Sequence, residues 1–309
     1  MKDDPGLYDY WPYEKRPKIR WPNGARVAFW VAPNIEFYEL DPPKNPHRTP
    51  WPHPYPAVAG YSIRDWGNRV GHVRQMRLLD KYGVRGSISL STALCVHHPE
   101  IIRMCKERNW EFFTHGMYNT RYTYGTTEEQ ERAMIAEGMA MIERAVGTRP
   151  VGYLAPALSH SEVTIDLFAE AGGIYTCDLF HDDQPTPIKT RSGRRFVSIP
   201  YSLEMNDTIA FAINRVEPRR YGQMIKDNFD RLYAEGAESG TVMCIPTHNY
   251  QVPNPHRIRA FEEALEYVTG HSDVWVTTGR EIAEYYLAHC YDAAVADIAA
   301  KHAAKQGGR

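Results

Sequence analysis

Cysteine is scarce in this 309-residue chain, and the five present (Cys95, Cys105, Cys177, Cys244, Cys290) are scattered, odd in number and form no CxxC pair. They read as reduced, mostly buried thiols of a cytosolic protein rather than a disulfide framework. Long apolar runs are also missing: no stretch approaches the roughly 20 residues needed to cross a bilayer. The first ten residues are polar and acidic, unlike a secretory signal, so the expected location is cytoplasmic. Charge of one sign is missing as well. The formal net charge is −2 with acidic and basic residues mixed throughout, which leaves no electrostatic footprint for nucleic acid or an anionic membrane. No GxGxxG or other glycine-rich phosphate loop follows the first apolar run, which argues against a nucleotide-binding sheet.

What is present is an ordinary globular composition, 43% hydrophobic and 24% charged, in a length suited to one α/β domain. Residues 1–25 carry Tyr8, Tyr10, Trp11, Tyr13 and Trp21 among prolines, an extended strap. Residues 26–32 form a short apolar run, the pattern of a buried strand. Residues 41–60, with His47, Trp51, His53 and Tyr55 among prolines, read as a long loop, and a loop of that length after a core strand suggests function. Helical spacing of Trp66, Val70, Val73, Met76 and Leu79 predicts a helix over 64–81. Further expected strands lie at 85–90, 110–114, 151–154, 174–178, 196–199, 208–213, 241–246 and 273–276. Helices are expected at 98–108, from a Thr126/Glu129 capping box to Val146, from a Ser159/Glu162 cap, at 218–235, at 255–268 and from Thr278/Glu281. Residues 296–309 read as a flexible tail. Repeated strand-then-helix units imply parallel strands joined by right-handed crossovers. The expectation is one catalytic domain, a (β/α) barrel of seven or eight strands with its chemistry at the strand C-terminal ends.

Residues just past those strands are therefore the ones to weigh: Asn34-Ile35-Glu36, Thr114-His115-Gly116-Met117-Tyr118-Asn119, Ala155-Pro156-Ala157, Asp178 to Asp183, and Thr247-His248-Asn249-Tyr250. A lone histidine after a strand is more often structural. A carboxylate and two histidines at three strand ends favour a working site. Amide hydrolysis needs a base for water, an acid for the leaving nitrogen and a donor at the oxyanion. Glu36 could ligate a metal or take the proton from water, and His248 could act as acid or steady the tetrahedral intermediate. Glu36, His115 and Asn119 could together hold one divalent ion, zinc by preference, although asparagine is a poor zinc ligand; the same three could equally form a cofactor-independent polar pocket. Plainer structural readings suit His97-His98 and His256 at helix starts, and Asp182-Asp183 in a turn. Asp178 reads as an orienting group.

The series NIE (34–36), THGMYN (114–119), GYLAP (152–156), the segment from Asp178 and THN (247–249) resembles the polysaccharide deacetylase (NodB-like) superfamily, from about residue 20 to 290. Within it the chain is most similar to the peptidoglycan-deacetylase-like and allantoinase-like branch, which includes cyclic imide hydrolases. The resemblance implies a distorted (β/α) barrel of about seven parallel strands and assembly as a dimer or tetramer. Metal-dependent members carry Asp-x-Asp where this chain has Asn34 and Glu36, and H-x-x-x-H where it has His115 and Asn119. The arginine that often precedes the Ala-Pro motif is Leu154, and the final catalytic histidine matches His248. The resemblance thus places Asn34, Glu36 and His248 at the catalytic positions, with Glu36, His115 and Asn119 at the metal positions. It implies hydrolysis of a C–N bond in a small cyclic imide or ureide. The alternatives are a metal-dependent N-deacetylase of an amino sugar and a non-catalytic binding barrel. Trp51 of the aromatic loop, Tyr118, Pro156 and Tyr250 are the expected contacts to a small flat ring.

Overall fold

A computed structural model describes residues 5–43 and 56–307. Strand β1 (Val27–Ile35) is buried along its whole length, as its apolar run requires of a strand covered on both faces. Helix α1 (Val58–Trp66) runs through a π-helical turn at Gly67–Gly71 into α2 (His72–Lys81). After β2 (Ser87–Leu90) come α3 (Leu94–His97) and α4 (Pro99–Lys106), then β3 (Glu111–Thr114), α5 (Glu128–Val146), β4 (Gly152–Tyr153) and α6 (Thr164–Glu170). The short strands β5 (Tyr175–Thr176), β6 (Thr186–Pro187) and β7 (Val197–Ser198) lead to α7 (Pro218–Gly236) and β8 (Thr241–His248). The chain closes with α8 (Ile258–Thr269), β9 (Val274–Val276), α9 (Gly279–His289) and α10 (Tyr291–Gly307).

The nine strands form one curled sheet in the order β6-β7-β5-β4-β3-β2-β1-β8, with β9 also paired to β1. Among the described residues only the β6–β7 ladder is antiparallel. Among the described residues no ladder joins β8 to β6. Instead Val242 N–H donates to the Asp183 carbonyl at 2.9 Å, and the N-terminal strap fills the seam. Gly240 N–H donates to Ile19 O, Trp21 Nε1 to Thr241 O, and Arg16 pairs with Asp182 at 2.7 Å. The expected α/β barrel is therefore a curl sealed by loop and strap.

Alternation along β1 sorts the core. Val27, Phe29 and Val31 face an outer cluster with Leu79, Phe229 and Leu265 from the covering helices. Ala28, Trp30 and Ala32 face inward with Phe113, Tyr175 and Tyr201. Trp30 meets Phe113 and Tyr201 at centroid distances of 6.4 and 6.3 Å, in edge-on geometry. These rings fill the curl and floor the site above.

Several local expectations shift. The first covering helix starts at Val58, six residues early, so the loop ends there; Trp51, with residues 44–55, lies outside the described residues. The capping box of α5 is Thr127 with Gln130, one residue on, because Gln130 supplies the returning side-chain oxygen. Ser159 caps no helix: its carbonyl takes the Thr123 hydroxyl, and α6 starts at Thr164 with Ser161 and Thr164 bonded to buried Glu131. Residues 208–213 are not a strand. Asn206 Oδ1 accepts from the N–H groups of Thr208 and Ile209 at 2.9 and 3.3 Å and starts a π-helical turn, Ile209–Ile213. Residues 296–307, expected to fray, continue α10, tied down by Trp11 Nε1 to Asp297 (2.7 Å) and Lys301 Nζ to Lys15 O (3.2 Å). No helix among the described residues is long and apolar enough to cross a membrane.

Candidate active site

The sheet carries β1, β3 and β8 to one rim, at the C-terminal ends of parallel strands. Asn34 pairs in register with His248 of β8 on one side and Ser89 of β2 on the other; β3 lies beyond β2. Glu36 and His115 each stand one residue past their strands, and His248 ends its own. The three side chains are buried and converge. Glu36 Oε1 lies 3.6 Å from His115 Nε2 and 3.5 Å from His248 Nε2. Glu36 Oε2 accepts from the Tyr250 hydroxyl at 2.7 Å and has Arg64 Nε at 4.0 Å.

Each member is oriented from behind. His115 Nδ1 donates to the Leu154 carbonyl at 3.0 Å; a carbonyl only accepts, so in the neutral ring Nε2 carries the lone pair. Asp207 grips His248 twice, accepting from Nδ1 at 2.6 Å and from the backbone N–H at 2.8 Å. Burial opposes the His248 cation, but the charge and hydrogen bond of Asp207, with Glu36, outweigh it and raise its pKa to about 9. Burial likewise opposes ionisation of Glu36, yet His115 and His248 hold its carboxyl well below the usual range, and when His115 is neutral the His248 cation is the partner that remains. The site thus contains a carboxylate and an imidazolium side by side.

These groups line a cavity of about 300 Å³. Asn34, Asn119 and Tyr250 share its wall, as do Tyr38, Arg64, Tyr201 and Gln251, which sequence inspection did not single out. Tyr118 and Pro156 do not line it. Tyr118 turns to Phe37 and His97, and Pro156 packs against the positive-φ Gly116, where an added Cβ would meet its ring at 3.0 Å. Asn34 is bound into the floor, donating through Nδ2 to Tyr201 Oη at 2.9 Å and Thr247 O at 3.1 Å. Asp178 lies behind the rim, where it accepts from Ala155 N–H at 2.9 Å. Burial pushes its carboxyl up, against His160 and its hydrogen bonds.

Asp207 is the most consequential residue that sequence inspection missed. It immediately precedes the segment 208–213 expected as a strand, and the Asn-Asp-Thr run, a helix-start signal, was the clue. Arg64 was read only as part of an amphipathic helix.

The donors around Glu36 suit a divalent ion poorly. Asn119 Oδ1 already accepts from Ala157 N–H at 3.1 Å, and its Nδ2 donates to Tyr38 Oη at 3.1 Å. Tyr250 and the Arg64 guanidinium occupy the Oε2 side of the carboxylate, and a metal beside that guanidinium and the His248 cation would meet like charge. Among the described residues no group of three histidine, cysteine or acidic side chains has metal-binding geometry. Of the ligand set expected at Glu36, His115 and Asn119, the asparagine already has both ends of its amide hydrogen-bonded within the protein.

Comparisons with known proteins agree with this architecture. The family described as polysaccharide deacetylase matches residues 65–175. A peptidoglycan deacetylase of Helicobacter pylori is 25% identical over 254 residues, 72% of this chain and 85% of that protein. The crystal structure of Puue allantoinase superposes with a TM-score of 0.80 at 26% identity, covering 90% of this chain and 95% of that one. A probable polysaccharide deacetylase from Pseudomonas aeruginosa superposes with a TM-score of 0.80 at 25% identity, covering 90% and 96%. Residues 65–175 thus match the polysaccharide deacetylase family, and the curled sheet of mostly parallel strands is shared with the two superposed structures.

Proposed function

We propose that the protein hydrolyses a non-peptide C–N bond in a small cyclic amide, an imide or a ureide. One observation carries the reading: a single carboxylate oxygen lies 3.5–3.6 Å from two imidazole nitrogens inside a cavity of about 300 Å³. That volume is at the small end for ligand pockets and suits one ring rather than a polymer chain.

Water at this junction would donate one proton to His115 Nε2, whose ring is turned by Leu154 O to present that atom. Glu36, held as a firm anion, is a weak base; it orients the water and stabilises the imidazolium that forms. This moves the base role from Glu36 to His115. The attacking oxygen adds to the ring carbonyl, and the oxyanion develops beside the His248 cation, which Asp207 maintains. His248 Nε2–H then protonates the departing nitrogen as the C–N bond breaks, leaving a half-amide with a new carboxylate. Asn34, fixed by the floor, shapes the pocket without a lone proton to exchange.

Similarity to the peptidoglycan deacetylase supports a second reading, removal of an N-acetyl group from an amino sugar. The donor set around Glu36 weighs against a metal-assisted form of it. Ultraviolet absorbance of imides, hydantoins and allantoin, run beside acetate release from chitooligosaccharide, separates the two. Turnover of a ring substrate is the expected result; acetate release with no ring opening would overturn the first reading.

A further inference from the structure

Arg64 has no counterpart in the strand-end motifs, yet its side chain forms part of the cavity wall. The guanidinium is clamped between two rings, 3.8 Å from the Tyr38 centroid and 4.4 Å from that of Tyr250. Both hydroxyls of the clamp are committed: Tyr38 Oη accepts from Asn119 Nδ2, and Tyr250 donates to Glu36. The guanidinium lies near Glu36 Oε2, but at 4.0 Å from Nε the approach is too long for a hydrogen bond. Buried Nε has no hydrogen-bond partner among the described residues. Ring faces and a hydrogen bond to the Tyr38 hydroxyl, rather than a close carboxylate, therefore hold this cation in place, and Glu36 takes no hydrogen bond from its Nε.

Position gives the group its meaning. The imidazoles stand at Oε1 of Glu36 and Arg64 stands on the Oε2 side. An oxygen bound by Arg64 is consequently a different oxygen from the one that becomes the oxyanion beside His248. Much of the remaining wall is apolar, with Ile63, Leu154, Leu158 and Leu203, and would cover ring carbons. We infer that Arg64 binds the second, non-reacting carbonyl of the substrate, so that the site selects rings with two carbonyls on one nitrogen over lactams with one. The inference rests on the hydrolase reading for its orientation, but its test is a binding measurement and does not need turnover.

Succinimide and 2-pyrrolidinone have the same five-membered ring and differ by one carbonyl. Their dissociation constants, measured by calorimetry or competition, would be compared for the intact protein, Arg64→Met and Arg64→Lys. Loss of a charge-assisted hydrogen bond is worth about a factor of 10 or more in affinity. The intact protein is expected to favour the imide by about that factor. In Arg64→Met the preference disappears and KM for an imide rises by about 10-fold with kcat moved less, while Arg64→Lys keeps part of the preference. A folded Arg64→Met that still favours the imide overturns the assignment, and so does an intact protein that binds both rings equally. Should Arg64→Met fail to fold, the intact protein and Arg64→Lys decide it on the same criteria. Preferential imide binding without ring opening would overturn the hydrolase reading and leave the Arg64 assignment supported.

Discussion

Asp207 accepts two hydrogen bonds from His248, 2.6 Å from Nδ1 and 2.8 Å from the backbone N–H, and a third from Val252 N–H at 3.1 Å. One carboxylate thereby fixes the ring, its tautomer and the end of β8. Asp207→Asn keeps the shape but removes the charge that sustains the His248 cation. The expected result is a fall in kcat of about 10²–10⁴-fold, the usual worth of a general acid. The alkaline limb of the pH–rate profile, expected near pH 9 in the intact protein, should move down toward 6.5. An unchanged limb would remove His248 from the acid role.

The same pair sets a stability profile. The folded pKa of His248, about 9, exceeds its ordinary 6.5, so the stabilisation is complete below pH 6.5 and is lost as pH rises through 9. Glu36 is shifted the other way, so its contribution is present above its ordinary 4.5 and fades as pH falls through its lowered folded value. Denaturant midpoints should therefore form a plateau between about pH 4.5 and 6.5 and fall on both sides, by roughly 3 kcal/mol across the alkaline step. Asp207→Asn should flatten that alkaline fall.

Glu36→Gln is nearly isosteric, and the amide oxygen can still accept from Tyr250. The fold should persist, with a melting temperature lowered at neutral pH because the anion's favourable partners are lost, while turnover falls by about 10²-fold or more. His115→Ala should cost a similar factor. Full turnover in either variant would show that the cluster is not the working centre.

Asn119 supports the rim on both sides. Ala157 and Leu158, which line the cavity, have φ of +51° and +58°, a region that costs a side-chain-bearing residue about 1–2 kcal/mol. Asn119 Oδ1 holds the Ala157 N–H. Asn119→Ala leaves that N–H and the Tyr38 hydroxyl without this partner, and should cost about 1–3 kcal/mol in chemical denaturation and raise KM. Because Asn119 acts here as a clamp, zinc titrated by calorimetry should bind the intact protein and Asn119→Ala equally weakly. A stoichiometric zinc site that Asn119→Ala abolishes would restore the ligand role.

Gly71 in the π-helical turn lies against the end of β8: a Cβ there would fall 1.8 Å from the Asn249 carbonyl oxygen. Gly71→Ala must push apart the helix and the strand that ends in His248. Overpacking of this kind costs about 1–3 kcal/mol, or several degrees in melting temperature, and activity should drop with it.

Much of this was legible in the linear chain because apolar runs at β1 and β8 leave little choice but buried parallel strands, and strand ends are where an α/β fold exposes polar side chains. Glu36, His115 and His248 were recoverable for that reason. The segment 208–213 was not, because its apolar residues fit a strand as well as a turn, and the deciding bonds come from the Asn206 side chain. Tyr118 and Pro156 stand outside the cavity lining, and position after a strand says nothing about which way a loop side chain turns. Residue 51 lies outside the described chain.

Residue order alone determined where the buried strands β1 and β8 lie, that the strands run mostly parallel, and that a carboxylate and two imidazoles stand at strand ends. Those follow from periodicity and burial, which are local properties. Tertiary structure decided the chemistry those groups can perform. Asp207 makes a cation of His248 from 41 residues away, Leu154 turns the His115 ring through a backbone carbonyl, and Arg64 is placed by two tyrosines far apart in sequence. Charge and hydrogen-bond direction depend on distances of a few ångströms, and only the folded chain sets those.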